Sequence, residues 1–131
     1  MSLADELRYL RARAGGITPF EIAEATGVDS GLYRQLEQRY RELGDDETVE
    51  KLADYFGCDA ETLKRARSRS RKAFSRHLEQ AQHNGEPVQL FLRSGETLTG
   101  RVTRWDLGTL GFDPQDGGPI IVVQRHAVID W

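Results

Sequence analysis

Apolar residues in the first half of the chain recur at the spacing of short amphipathic helices. Leu3, Leu7 and Leu10 are separated by four and then three residues, so one helix face carries all three. Glycines follow these apolar runs, as at Gly27 and Gly57, and glycine commonly ends a helix. The pattern predicts five short helices before residue 66. The tight turn between the second and third is typical of a helix-turn-helix protein.

Capping residues mark the boundaries of the predicted helices. Thr18 supplies an N-cap hydroxyl, Pro19 follows at the first helical position, and Glu21 completes a capping box. Asp45 and Asp59 are expected to begin the fourth and fifth helices in the same way. The inward-facing stripe of the third helix consists of Tyr33, Leu36 and Tyr40.

The hydrophobic period changes from helical to alternating after residue 87. Phe74 and Leu78 predict a helix, whereas Val88, Leu90 and Leu92 point to one side of a strand. Further strands are expected over residues 97–105, 109–113, 119–124 and 127–131. A helix and five strands of this length favour a small open barrel, either Sm-like or SH3-like.

Two glycine signals shape the predicted sheet. Ser94-Gly95 has the composition of a two-residue hairpin turn between the first two strands. Gly100 lies within the second strand, where a missing side chain allows a sharp bend. The predicted fold has two domains, all-α and then α+β. A five-helix helix-turn-helix bundle precedes an N-terminal helix plus a five-stranded bent antiparallel barrel.

The composition is that of a globular protein in a reducing compartment. Of 131 residues, 38% are apolar and 30% are charged, which does not suit a disordered chain. No run reaches the roughly 18–20 apolar residues that span a bilayer, and Asp5 and Glu6 stand where a signal peptide would be basic. The single Cys58 excludes a disulfide framework. We therefore expect a cytoplasmic protein without a membrane partner.

Charge divides the sequence into three segments. Residues 1–66 hold 9 basic and 14 acidic side chains, residues 67–78 hold 5 basic and none acidic, and residues 79–131 hold 4 basic and 7 acidic. The expected domains are residues 1–66 and 74–131, joined by a basic linker over residues 67–73 that is expected to be helical. Such a linker either is simply solvated or, in an oligomer, forms a positive collar that attracts polyanions.

No constellation of residues indicates an enzyme. The sequence lacks a serine elbow with its histidine and acid, a glycine loop for phosphates, and a pair of catalytic carboxylates. His77 and His83 have no ligating partner at a metal-binding spacing. We expect no enzymatic activity, no metal and no cofactor.

The first half resembles a known DNA-binding family. TPFEIAEATGVDSGLYRQLEQ, followed by ETVEKLADYFGCDAETL, is similar to the lambda-repressor-like (XRE-type) domain over residues 3–66. The resemblance implies that the third helix reads the major groove. Arg34 would contact guanine, and a glutamine such as Gln35 would contact adenine. The implied DNA-binding residues are Ser30, Gly31, Arg34, Gln35 and Gln38.

A different function for this bundle stays open. Pro19 replaces the glutamine with which the family often clamps a phosphate, and Asp46 stands where the family usually has an apolar residue. The first 66 residues are also net acidic, whereas a DNA-binding domain is commonly basic. The alternative is a bundle that keeps the fold and either binds protein or merely packs.

The second half resembles the Sm and Hfq family over residues 71–131. PVQLFLRSGETLTGRVTRWD is similar to the first signature of that family, and QRHAVIDW is similar to the bacterial Hfq ending. The resemblance implies a ring of subunits, most simply a hexamer, in which the fourth and fifth strands pair between neighbours. Val122, Val123 or Ile129 would then be buried against the next subunit. The alternative is a solitary SH3-like barrel with a structural His126.

The resemblance also implies an RNA-binding surface. The residues that it transfers to this chain are Arg71, Phe91, Leu98, Arg125 and His126. Gly108 stands where the family has an aromatic residue that stacks on an RNA base. Without that aromatic side chain the base-binding pocket is weaker, because stacking contributes ~1–3 kcal/mol per base. The sequence therefore predicts a nucleic-acid-binding regulator that binds DNA, RNA or both. The competing prediction is an oligomeric scaffold that displays helix-turn-helix domains to protein partners.

Overall fold

The computed structural model of the protein describes residues 1–38 and 43–131. It divides into two compact units, Met1–Lys72 and Ala73–Trp131. The division falls within the predicted linker at residues 67–73. Within the described residues, no helix is long and apolar enough to cross a membrane.

The described part of the first unit contains the expected helices. They are α1 (Leu3–Arg13), α2 (Pro19–Thr26), α3 (Ser30–Gln38), α4 (Asp46–Phe56) and α5 (Ala60–Ser68). Their apolar faces meet in one core, in which Leu7, Ile22, Tyr33, Val49 and Leu52 have no exposed surface. The predicted inward position of Tyr40 lies outside the described residues.

The helix caps confirm most of the boundaries that the sequence predicts. The Thr18 hydroxyl accepts from the Glu21 N–H at 3.2 Å, and the Glu21 carboxylate accepts from the Thr18 N–H at 2.9 Å. Gly27 ends α2 with a φ of 76°, a left-handed conformation that glycine adopts at little cost. Asp59 occupies the N-cap position of α5, but its carboxylate accepts from the Thr62 hydroxyl and caps no backbone N–H.

The second unit contains most of α6 (Arg71–Asn84) and a curled antiparallel sheet. The strands are β1 (Val88–Leu92), β2 (Thr97–Trp105), β3 (Thr109–Pro114), β4 (Ile121–Gln124) and β5 (Val128–Asp130), with a 3₁₀ turn at Arg125–Ala127 before β5. The strand order is β4-β3-β2-β1-β5, so β4 and β5 form the two edges of the sheet. A helix with a five-stranded half-barrel is compatible with the Sm-like fold.

The hairpin between β1 and β2 corrects a prediction. The Leu92 N–H donates to the Glu96 carbonyl, and the Gly95 N–H donates to the Leu92 carbonyl. The loop therefore contains three residues, 93–95, and not the predicted two. Gly95 has a φ of 91°, which is the left-handed position that closes a three-residue hairpin.

The core of the half-barrel joins α6 to the concave side of the sheet. Leu78, Leu90, Leu110 and Phe112 have no exposed surface. Val123 of β4 is 7% exposed and packs in this same core. The expectation that Val123 is buried against a neighbouring subunit is therefore wrong, because the unit's own core already buries it.

Candidate nucleic-acid interface

The predicted DNA-binding residues lie along one helix. Gly31, Arg34, Gln35 and Gln38 are all exposed, and their spacing places them on one face of α3. Ser30, the first residue of α3, is half-buried. We call the four exposed residues the α3 stripe. Three of the four carry hydrogen-bonding side chains, and the fourth, Gly31 at the start of the row, has no side chain and allows close approach.

The opposite face of α3 is held by a buried polar cluster. Glu37 is only 5% exposed, and its carboxylate accepts from Arg11 Nε at 2.8 Å and from Arg11 Nη2 at 3.0 Å. The Tyr33 hydroxyl donates to the same carboxylate at 2.6 Å. The Arg8 guanidinium donates to the Glu37 carbonyl. Two side chains of α1 therefore fix the end of α3.

Burial and hydrogen bonds to Glu37 shift the pKa values of Tyr33 and Arg11. Burial, together with the hydrogen bond to Glu37, raises the pKa of Tyr33 well above its usual value, so the phenol stays protonated and donates. The hydrogen bond to Glu37 raises the pKa of Arg11. The sequence analysis did not single out Glu37 for this role. The available signal was a charged residue directly after the buried Leu36.

Another charged pair joins α5 to the start of α4. Arg67 Nη2 donates to Asp46 Oδ1 at 2.7 Å, and Arg67 Nη1 donates to the Gly44 carbonyl at 3.0 Å. The hydrogen bond from Arg67 lowers the pKa of Asp46. The acidic residue that departs from the family pattern at position 46 thus has a partner within the same unit.

The structure separates two of the predicted RNA-binding residues. Leu98 pairs with Leu90 and packs against the core of the half-barrel, whereas Phe91 pairs with Thr97 and is exposed. Neighbouring residues of a strand point to opposite faces, so Phe91 and Leu98 lie on opposite faces of the sheet. Arg71 is exposed at the start of α6 and belongs to the first unit.

Arg125 and His126 are neighbours in the 3₁₀ turn but differ in environment. Arg125 is 7% exposed, and its guanidinium donates to the Asp106 carbonyl at 2.8 Å and to Ser75 Oγ at 2.9 Å. His126 is exposed, and its carbonyl accepts from Arg93 Nε at 2.7 Å. The imidazole of His126 therefore faces solvent, whereas the arginine side chain lies within the wall of the unit.

The turn between β2 and β3 lies against this 3₁₀ turn. The Asp106 carboxylate accepts from the N–H groups of Gly108 and Thr109 at 2.8 and 2.7 Å, which lowers its pKa. The Gly108 carbonyl accepts from the Arg125 N–H at 2.9 Å. Leu107, at the tip of the turn, is 78% exposed, a position that the sequence analysis did not single out.

Exposed apolar side chains lie beside the β4 edge. Ile120 and Val122 are both 63% exposed. Ile129, which the resemblance places at the same interface, is half-buried on β5. An edge strand that carries exposed β-branched residues is suited to pairing with another strand.

No metal site was found among residues 1–38 and 43–131, where no group of three or more His, Cys, Asp or Glu residues could hold an ion.

The comparisons identify the first unit. Residues 2–66 match a family model described as a helix-turn-helix domain. The N-terminal part of this chain is a helix-turn-helix domain, which indicates a DNA-binding regulator. Comparison of the chain with curated proteins and with solved structures yields no match.

Proposed function

We propose that this protein is a cytoplasmic regulator that reads DNA through the α3 stripe and assembles through the edges of its half-barrel. The observation that carries the proposal is the division of α3 into two faces. One face presents Arg34, Gln35 and Gln38 to solvent, and the other is fixed by the buried Glu37. A rigid helix with a hydrogen-bonding outer face is the element that enters a major groove.

Assembly compensates for the acidic charge of the helix-turn-helix domain. Residues 1–66 hold 9 basic and 14 acidic side chains, so attraction of a single domain to phosphates is weak. Several domains tethered in one oligomer bind neighbouring sites at a high effective concentration. A ring, most simply a hexamer by resemblance, would supply that multivalency.

The sheet edges are the proposed contacts between subunits. Pairing of β4 with β5 of another copy would satisfy both edges and cover Ile120 and Val122. A head-to-tail contact of this type closes into a ring when its rotation permits. The half-barrel would thus gain apolar burial that one copy does not provide.

RNA binding by the half-barrel is the second part of the proposal. His126 and Phe91 are exposed, and repetition around a ring would bring together several copies of each. Because Gly108 supplies no stacking side chain, we expect weak and salt-sensitive binding of short RNA, and the resemblance to Hfq implies that this RNA is uridine-rich. The exposed Arg71 and the other basic residues near it would add attraction to phosphates.

A scaffold that binds no nucleic acid is the competing function. It is favoured by the acidic balance of residues 1–66 and by Pro19, whose nitrogen offers no hydrogen at the first position of α2. Labelled DNA and RNA pools, titrated with the full-length protein across a salt series, distinguish the two functions. We expect measurable binding whose log–log salt slope reflects phosphate contacts. Absence of binding to either pool at low salt would support the scaffold.

Base readout by α3 gives a specific expectation. Arg34→Ala should relax the preference at one base position and cost about 1–3 kcal/mol in binding to the preferred duplex. Competition binding with a set of single-base variants of that duplex measures both effects. The control is Lys51→Ala on α4, which removes the same charge and should leave the base preference intact. An unchanged preference in Arg34→Ala would remove Arg34 from the readout.

Assembly through β4 gives a second specific expectation. Val122→Asp should dissociate the oligomer, because pairing would bury an unpaired carboxylate. Light scattering at micromolar concentration should show a mass of several chains for the wild type and of one chain for the variant. Val122 is exposed in the single chain, so the variant should keep its fold.

The matched control for that experiment is Leu107→Asp, which adds the same charge at an exposed site in the β2–β3 turn. It should retain the full mass. A monomeric wild type, or an oligomer that survives Val122→Asp, would contradict assembly through this edge. Val123→Asp is unsuitable because it places a carboxylate in the core of the unit.

A further inference from the structure

The buried Arg125 side chain connects three elements of the half-barrel. Its guanidinium donates to Ser75 Oγ of α6 and to the Asp106 carbonyl in the β2–β3 turn. The central carbon of the guanidinium lies 5.1 Å from the Phe74 ring centroid and 5.7 Å from the Trp105 ring centroid. Both distances are within the range of cation–π attraction. Arg125 thus fixes α6 and the β2–β3 turn to the 3₁₀ turn.

Aromatic contacts link the Arg125 side chain, through Phe74, to Trp131. Phe74 stacks on Trp131, with ring centroids 4.6 Å apart and ring planes inclined by 22°. Trp131 directly follows β5, one of the two sheet edges. The position of the arginine side chain is therefore coupled to the ends of both strands that flank the 3₁₀ turn.

The other side of the 3₁₀ turn is held by Arg93. Its backbone N–H donates to the Ala127 carbonyl at 2.9 Å, and its Nε donates to the His126 carbonyl at 2.7 Å. A three-residue 3₁₀ turn has few backbone hydrogen bonds of its own. Contacts from Arg93 and Arg125 thus determine where the exposed His126 imidazole is presented.

We propose that Arg125 is a positioning residue, which presents His126 to RNA without contacting the RNA itself. This inference rests on the proposed RNA binding and assigns Arg125 a role different from the direct contact that the resemblance implies. A planar guanidinium can donate two hydrogen bonds while lying between two rings, whereas an ammonium provides the charge without that geometry. Lysine is nevertheless an effective phosphate contact. A positioning role therefore predicts that lysine at position 125 weakens RNA binding, whereas a direct contact predicts that lysine preserves it.

Arg125→Lys in the full-length protein separates the roles. If Arg125 positions His126, the variant should bind a short labelled oligouridine at least about tenfold more weakly, because buried hydrogen bonds from a charged group are lost. The NMR signals of the His126 ring, assigned by their loss in His126→Ala, should also shift. Wild-type affinity in Arg125→Lys would overturn the proposal. Weaker binding with unshifted His126 signals would equally overturn it.

Ser75→Ala tests the same connection without changing Arg125. Alanine favours the helix, so α6 should stay folded, and the arginine keeps its charge. We expect oligouridine affinity to fall by about threefold to tenfold, which corresponds to one hydrogen bond. Gln80→Ala, an exposed substitution on α6, is the control and should bind as the wild type does. Unchanged or tighter binding by Ser75→Ala would indicate that Arg125 contacts RNA directly, against the proposal.

Failure of RNA binding and failure of positioning give different results. If the wild type binds no oligouridine at low salt, the proposed RNA function fails. The His126 signals then decide only whether Arg125 positions the His126 ring. Shifts in Arg125→Lys and Ser75→Ala, with none in Gln80→Ala, would support it. Identical His126 signals in all three variants and the wild type would overturn it.

Discussion

Arg11→Met should destabilise the helix-turn-helix domain by about 3 kcal/mol. The substitution leaves the carboxylate of Glu37, which is 5% exposed, without the guanidinium that donates two hydrogen bonds to it. Removing one member of a buried ion pair costs several kcal/mol, because the remaining charge is neither solvated nor paired. Arg11 itself is partly exposed, so the expected loss lies toward the lower end of that range.

Urea unfolding can assign this loss to the correct unit. Trp105 and Trp131 are the two tryptophans of the chain, and both belong to residues 73–131. Their fluorescence therefore reports the half-barrel, whereas far-ultraviolet circular dichroism also reports the helices of the first unit. Arg11→Met should move a circular dichroism transition to lower urea and leave the fluorescence transition in place.

Two further variants separate the buried pair from ordinary surface charge. Lys51→Met breaks the exposed pair with Glu47 and should change stability by less than about 0.5 kcal/mol. In the triple variant Arg11→Leu/Tyr33→Phe/Glu37→Leu, apolar residues replace the buried pair together with the hydroxyl that donates to it, a replacement that is often neutral or stabilising. It should therefore recover much of the stability that Arg11→Met loses. Equal stability of Arg11→Met and the wild type would show that the cluster does not hold α3.

Gly100→Ala should destabilise the half-barrel by about 3 kcal/mol. Gly100 pairs with Pro114, and a Cβ at this position would overlap the Asp113 carbonyl oxygen and lie 2.8 Å from the Phe112 ring. Neither the β3 backbone nor a ring in the core can move away without disturbing the sheet. The fluorescence transition in urea should therefore move to lower concentration, while the helices of the first unit are unaffected.

Gly108→Ala is the matched control for the strand glycine. A Cβ at Gly108 would lie 3.7 Å from Asp106 Oδ1, which is ordinary van der Waals contact. Its stability should stay within about 0.5 kcal/mol of the wild type. If Gly100→Ala, Gly108→Ala and the wild type all unfold at the same urea concentration, the close approach of β2 and β3 does not require a glycine at position 100.

Local signals predicted the elements of this fold well. The capping box at Thr18 and the glycine at position 27 fix their helix ends through bonds within a few residues, so the sequence alone contains the information. The hairpin at Gly95 was misjudged by one residue. Loop length there depends on which residue adopts the left-handed conformation, and Ser94-Gly95 is compatible with two turn types.

Side-chain environments were harder to predict because they depend on distant residues. Val122 and Val123 are both apolar, so alternation does not show which faces the core; pairing of Val123 with Leu110 decides it. Arg125 is buried against Ser75, which lies 50 residues earlier in the chain. No local pattern marks such a contact. A sequence motif could therefore predict that the arginine lies in the turn, but not that its side chain is buried in the half-barrel.

Selection from a pool of random duplexes is the most direct test of the central claim that the α3 stripe reads DNA. The full-length protein should enrich a defined base motif, and the variant Arg34→Ala/Gln35→Ala/Gln38→Ala should retain its fold without enriching that motif, because it lacks the side chains that reach base edges. Both proteins are compared at the same low salt concentration, since phosphate contacts alone produce binding without a motif. Recovery of no motif by the wild type, or of the same motif by the triple variant, would contradict the account.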